Sequence, residues 1–196
     1  MGTQDIIDRC ERIYRDLDFG YVHEWKARTG GKAVGFMPVY VPRELIHAAG
    51  ILPVGIMGGG DDVEIIRGDA YFQSYICHIP RSTVELGLAG KLDVLDGMLF
   101  PAICDVIRNL SGMWQMMFAH KYVRYLDFPQ TFNDAGREFY RAEMAELLVD
   151  LEALSGIQAT PERLNASIAL YNANRRALAE LYDLRSAEPQ RVPTSE

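Results

Sequence analysis

Cysteine supplies the best chemical candidates in this chain, at positions 10, 77 and 104. Cys77 stands in Gln73-Ser74-Tyr75-Ile76-Cys77-His78-Ile79-Pro80-Arg81-Ser82, just before a predicted helix. Cys104 stands in Phe100-Pro101-Ala102-Ile103-Cys104-Asp105, immediately after a predicted strand. In an open parallel sheet, ligands bind where loops leave the carboxyl ends of strands, and helix N-termini gather there. Two thiols in such loops can converge although far apart in sequence, and a helix N-terminus favours the thiolate that binds metal. Cysteine is also among the most buried residue types, so each could equally be a small core hydrophobe. Spacing leaves both readings open for Cys77 and Cys104. For Cys10, on the apolar face of the first predicted helix, the core reading is expected.

Other candidates are fewer. Glu44 falls two residues after Pro42, in the first turn of a helix that faces the same sheet edge. A carboxylate there complements the helix dipole, or it can move a proton in a reaction. Arg81 and Arg108 could bind the phosphates of an anionic substrate or be ordinary surface arginines. His23, His47, His78 and His120 form no metal signature, although His78 could donate a hydrogen bond to a cluster sulfur. Gly58-Gly59-Gly60 is neither GxGxxG nor a P-loop. It reads as a turn that lets backbone approach closely.

The elements that must position these groups follow from periodicity. Ile6, Ile7, Cys10, Ile13, Tyr14 and Leu17 predict an opening amphipathic helix. Short apolar runs at 32–37, 51–57, 94–100 and 122–126 predict four buried strands, with helices at 42–50, 82–88 and 104–118 between them. The helix at 104–118 is apolar all round, so it is expected to be buried, with Met113, Trp114, Met116 and Met117 in the core. Strands alternating with helices predict an α/β fold with a Rossmann-like, mainly parallel four-stranded sheet. Two long helices then follow at 137–154 and 162–184, the second with Thr160 as N-cap and Pro161 at its first position. Leu164, Ile168, Tyr171, Leu178 and Leu181 make its apolar stripe. The expected division is an α/β domain at 1–135 and a helical connector at 136–196.

The 196 residues are 48% apolar and 24% charged, an ordinary globular composition. A net charge of −7 argues against nucleic acid or an anionic membrane as partner. No run is long and apolar enough to span a bilayer, the N-terminus shows no secretion signal, and three widely spaced cysteines make no disulfide framework. A cytoplasmic protein is expected.

Taken in order, the segments Val41-Pro42-Arg43-Glu44-Leu45-Ile46-His47-Ala48-Ala49-Gly50-Ile51-Leu52-Pro53-Val54, Ser74-Tyr75-Ile76-Cys77 with Arg81-Ser82 and Glu85, and Phe100-Pro101-Ala102-Ile103-Cys104-Asp105 resemble the benzoyl-CoA reductase / 2-hydroxyacyl-CoA dehydratase family. Thr160-Pro161-Glu162-Arg163-Leu164 with Tyr171-Asn172 and Arg175 is similar to the helix that precedes the second domain in that family. The resemblance implies two Rossmann-like domains per subunit, with a [4Fe-4S] cluster held between them by three cysteines. The first two would be Cys77 and Cys104; the third belongs to a second domain and has no counterpart here. Family subunits are about twice this length, so the expectation is an N-terminal fragment, inactive alone.

The stretches around 35–42 and 122–129 look closer to the reductases. Some dehydratases carry Ser or Cys before Pro42, where this chain has Pro38 and Val39. The implied activity is an ATP-dependent, ferredoxin-linked reduction of benzoyl-CoA to a cyclic dienoyl-CoA. A 2-hydroxyacyl-CoA dehydratase subunit and a cluster-free structural or assembly subunit are the alternatives. Partners implied are a homologous iron–sulfur subunit, ATP-hydrolysing activator subunits, ferredoxin and the acyl-CoA. Glu44 is the expected catalytic residue and Arg81 the expected substrate ligand.

Overall fold

The computed structural model describes residues 2–119 and 121–191. His120 and Pro193 therefore lie outside the described residues. Four parallel strands, β1 (Ala33–Phe36), β2 (Leu52–Gly55), β3 (Gly97–Pro101) and β4 (Tyr122–Leu126), form one sheet in the order β2-β1-β3-β4. Seven α-helices accompany them among the described residues: α1 (Thr3–Arg15), α2 (Gly20–Thr29), α3 (Arg43–Ala48), α4 (His78–Leu88), α5 (Asp105–Met117), α6 (Asp134–Ser155) and α7 (Pro161–Ala187). The α/β expectation holds. None of these helices is long and apolar enough to cross a membrane.

Strand alternation sends successive side chains to opposite faces. Ala33, Met98 and Phe100 join one buried cluster with Val84 and Leu86 of α4 and Ile107, Leu110 and Trp114 of α5. Val34 and Leu99 point the other way, into a cluster with Ile46 of α3 and Leu147 and Leu151 of α6. A sheet covered on both faces needs apolar residues on both, which is why its strands read as continuous apolar runs. The two long helices differ: α6 lies on the sheet, while α7 rests on α3.

Several boundaries and burials depart from expectation. Cys10 is exposed, and α1 buries no residue: Ile6 and Ile13 of its apolar stripe stay 46% and 44% exposed. Helix α5, expected to be apolar and buried all round, carries Asp105, Arg108, Asn109 and Gln115 and is buried on one face only: Trp114 is in the core, Met113 and Met117 lie partly buried at its edge, and Met116 is 79% exposed. Composition alone misleads there, since a helix on one face of a sheet has an outer side whatever residues occupy it. Helix α2 carries no clear apolar stripe and buries only Val22; it is held instead by charge. Lys26 donates to the Val94 carbonyl and to Asp96 (both 2.7 Å), and Asp96 also accepts from Lys32 (3.1 Å) and the Ala33 N–H (2.9 Å). Pro42 is the N-cap of α3 rather than its first residue, and Gly50, just past its end, has φ +74°. Helix α4 begins at His78, earlier than expected, with Pro80 in its first turn, where no N–H is required. On α7, Ile168, Leu178 and Leu181 are exposed, whereas Leu164 and Tyr171 are partly buried.

Candidate functional site

Strand order reverses between β1 and β3, and in such sheets the crevice outside the carboxyl ends at the reversal is the usual ligand site. The loops at this edge are 37–42 after β1, 56–77 after β2, 102–104 after β3 and 127–133 after β4. Each leads into a helix, so helix N-termini line the rim. Cys77 is the N-cap of α4 and Cys104 the N-cap of α5, and both are exposed. A residue at that position lies among backbone N–H groups with no partner inside the helix, a setting that favours anionic groups. Topology thus places both predicted thiols at one sheet edge and turns neither into a core. Among the described residues, no group of three or more His, Cys, Asp or Glu is placed to share a metal ion.

The long segment before Cys77 is strapped to α4. Glu85, with only 10% of its side chain exposed, accepts hydrogen bonds from the backbone N–H groups of Ile66 (3.0 Å), Arg67 (2.7 Å) and Gly68 (2.8 Å). Its other oxygen accepts from Arg67 Nε at 3.3 Å. Burial works to raise the Glu85 pKa, but these donors outweigh it and hold the carboxyl below the usual range. One turn earlier in α4, Ser82 Oγ accepts from the Gly59 N–H at 3.1 Å. Gly58, at φ +76°, packs so tightly on Ser82 that a Cβ would collide with its hydroxyl, which is the close backbone approach the glycine triplet suggested.

Arg81 belongs to the same strap. Its Nε donates to Asp69 at 2.8 Å, its Nη2 also reaches Asp69, and its Nη1 is 3.5 Å from the Ile76 carbonyl. The guanidinium is directed at the chain's own loop, next to Cys77. Arg108 lies over the Tyr125 ring, 5.4 Å from its centroid, and 3.9 Å from Asp127.

Glu44 occupies the first turn of α3, as expected, and its carboxylate is paired with Arg175 of α7. Around it runs a polar seam. Ser167, fully buried, donates its hydroxyl proton to the Glu44 carbonyl (3.0 Å) and lies 2.7 Å from His47 Nδ1. A hydroxyl has one proton to give, so His47 must carry its proton on Nδ1 and donate to Ser167. Arg163 Nε donates to the Ala48 carbonyl (2.8 Å), and Arg43 stacks over Tyr171 at 5.0 Å. Tyr140 and Tyr171 have raised pKa values, first from burial, with the negative charge of Glu44 adding to both.

A second polar clasp joins β4 to α6. Arg124 donates to Asp150 (2.8 Å) and Glu146 (3.0 Å), and Tyr122 donates its hydroxyl to Asp150 (3.0 Å). Beyond it opens a groove of about 560 Å³ lined by Tyr40, Ala102, Phe128, Phe132, Arg137 and Tyr140, among others. Sequence reasoning did not single out this groove. Its signal was present in the density of aromatic residues between 122 and 140, on either side of Pro129.

Comparison with known proteins gives this geometry a context. The chain is 59% identical to a benzoyl-CoA reductase subunit of Thauera aromatica, over 100% of its own length and 51% of that relative's. It is 35% identical to the beta subunit of (R)-2-hydroxyglutaryl-CoA dehydratase from Acidaminococcus fermentans, over 88% of this chain and 45% of the relative. The (R)-phenyllactyl-CoA dehydratase beta subunit of Clostridium sporogenes is 32% identical, over 86% and 45% respectively. The chain thus spans about half the length of the curated relatives it matches. Residues 38–196, from the loop after β1 to the last residue, match the family model for the D-component of 2-hydroxyglutaryl-CoA dehydratase, and the chain belongs to that family.

Proposed function

We propose that this chain is the N-terminal part of an iron–sulfur subunit of a benzoyl-CoA reductase. The observation that carries the reading is its 59% identity to a benzoyl-CoA reductase subunit along its whole length, against 35% and 32% to two dehydratase subunits. The residues at the rim suit the cofactor in part. Cys77 and Cys104 are exposed thiols at helix N-termini on one edge, a donor set appropriate to iron. Two thiols do not complete a [4Fe-4S] site. Cys10 sits on a helix that buries none of its residues and joins no metal-ligating group among the described residues, so further ligands have to come from outside them.

When bound, the cluster supplies single electrons at low potential. Removing one double bond from the benzoyl ring takes two electrons and two protons and leaves a cyclic dienoyl-CoA. ATP-hydrolysing activator subunits, fed by ferredoxin, provide the electrons, and the assembly is completed by a homologous iron–sulfur subunit. In this chain Cys77 and Cys104 would hold the metal, and the strap on α4 fixes where Cys77 stands. Glu44 is the candidate proton carrier. Its carboxylate is engaged by Arg175, so proton transfer there requires that pair to open. Arg81 acts on substrate only after releasing Asp69; its present bonds favour a role in placing the Cys77 loop.

The dehydratase reading stays as the second, favoured by the family model itself. The test is iron content of the anaerobically assembled complex bearing Cys77→Ser or Cys104→Ser, with turnover of benzoyl-CoA and of a 2-hydroxyacyl-CoA. Each variant is expected to lose most of the iron of this subunit and its turnover with it, and in the unsubstituted complex only benzoyl-CoA should turn over. Unchanged iron in both variants sinks the ligand assignment and leaves a cluster-free structural role. Turnover of the 2-hydroxyacyl-CoA alone establishes the dehydratase instead.

A further inference from the structure

The groove beyond Arg124 is shaped by three carboxyl-edge loops and one helix. Tyr40 comes from the loop after β1, Ala102 from the loop after β3, and Phe128 to Asn133 from the loop after β4; Tyr140 of α6 closes one wall. Ala102 lies two residues before Cys104, so groove and thiol share a loop. A volume of about 560 Å³ is in the range of small-molecule sites, which are mainly apolar with a few polar groups. The Tyr40 and Phe128 rings meet edge-on, with centroids 5.7 Å apart and planes at 68°, and Phe128 lies 5.9 Å from Tyr140. Rings arranged this way satisfy one another by their edges and can receive another ring in the same offset or T-shaped geometry.

Two features at this groove have no counterpart gain within the chain. Tyr40 is held at φ +64°, a left-handed conformation unusual for a bulky residue. Phe132 is 105% exposed, its whole surface in solvent. Local backbone strain and a bare aromatic side chain in one concavity are more typical of ligand sites than of scaffold. The one charged residue in the lining is Arg137, which lies 3.5 Å from Asp134. With a single, paired cation the groove is poorly suited to the phosphates of CoA.

We infer that this groove is the acyl subsite and takes the aromatic ring of an aryl-CoA thioester, with Tyr40, Phe128, Phe132 and Tyr140 setting the preference for a ring over an aliphatic chain. The inference rests on the acyl-CoA reading above and goes beyond it by assigning the residues that recognise the acyl group. An aliphatic chain would fill the same space without the ring–ring contacts, which are worth about 0.5–1.5 kcal/mol per pair, or roughly 2- to 12-fold in affinity.

The test is isothermal titration of the anaerobically assembled complex with benzoyl-CoA, butyryl-CoA and free CoA, alongside the complex bearing Phe132→Ser or Tyr40→Ser in this subunit. Benzoyl-CoA should bind more tightly than butyryl-CoA by roughly fivefold or more, and free CoA most weakly. Each variant should lose about 3- to 10-fold for benzoyl-CoA and little for butyryl-CoA, and Phe132→Ser should melt like the parent. Equal affinity for the two esters, no binding of benzoyl-CoA, or unchanged affinity in both variants overturns the inference. So does a Phe132→Ser change that alters only self-association in light scattering, which would make the groove a protein interface. Iron loss in the cysteine variants with unchanged benzoyl-CoA affinity in both Phe132→Ser and Tyr40→Ser removes the groove assignment alone. Ring selectivity without any dependence of iron on Cys77 or Cys104 removes the redox reading alone.

Discussion

The loop that delivers Cys77 and the loop that lines the aromatic groove leave the same edge of the same sheet, yet they are built on opposite principles. Between β2 and α4 the backbone is tied down by a buried carboxylate, with Glu85 taking three N–H groups and Arg81 gripping Asp69. Between β4 and α6 the structure is a set of rings leaning on one another, with Phe132 bare to solvent. Directional hydrogen bonds to backbone fix a position, which is what the metal-ligand role proposed for Cys77 requires. Contacts between aromatic rings are softer and tolerate adjustment, which suits a site that must admit and release a ligand.

The sharpest way to break this contrast is Glu85→Ala. It strands three backbone donors and should cost roughly 3 kcal/mol, lowering the melting temperature and speeding amide exchange at Ile66, Arg67 and Gly68. Arg124→Met is the next largest. It leaves Asp150 and Glu146 without their shared cation and should cost roughly 2 kcal/mol in chemical denaturation, without changing exchange in the Cys77 loop. Ser167→Ala loosens α7 from α3 by removing two hydrogen bonds, at about 1 kcal/mol, read as faster exchange along α7.

Acid should act through the carboxylates. Burial of Glu85 and of Asp96 works to raise their pKa values, but the backbone donors on the first, and Lys26, Ala33 and Lys32 on the second, hold both below normal. The unfolded chain therefore takes up these protons first as pH falls. The stabilisation is complete above the ordinary carboxylate range, about pH 4–4.5, and is lost as pH drops through the lower folded values. Melting temperature should fall on going from pH 5 to roughly pH 3, and less steeply in Glu85→Ala. Smallest of all is Phe132→Ser, expected within about 0.5 kcal/mol of the parent. A large destabilisation there would mean that the groove is scaffold, and the contrast would fail.

Much of this was legible in the chain itself. The four strands were readable because a doubly covered sheet demands apolar residues on both faces, and Thr160-Pro161 announced α7 through its cap. The positions of Cys77 and Cys104 at helix starts followed from the same strand–helix rhythm. Burial was less legible. Cys10 and Met116 sit in apolar patterns, yet both are exposed, because pattern states what a helix could bury and not whether anything meets it. Helix α2 escaped notice because Lys26, reaching Asp96 and the Val94 carbonyl far along the chain, holds it in place.

By itself the sequence determined the kind of fold, its family and the two thiols worth watching, since local periodicity and motif order are properties of neighbouring residues. Tertiary structure decided the partners: that Glu44 meets Arg175, that Arg81 turns to Asp69, and that Tyr40, Phe128 and Tyr140 share one groove. Those pairings join residues up to 131 positions apart, as Glu44 and Arg175 are. No local pattern encodes such contacts; they exist because packing the sheet between its helices brings those side chains within reach of one another.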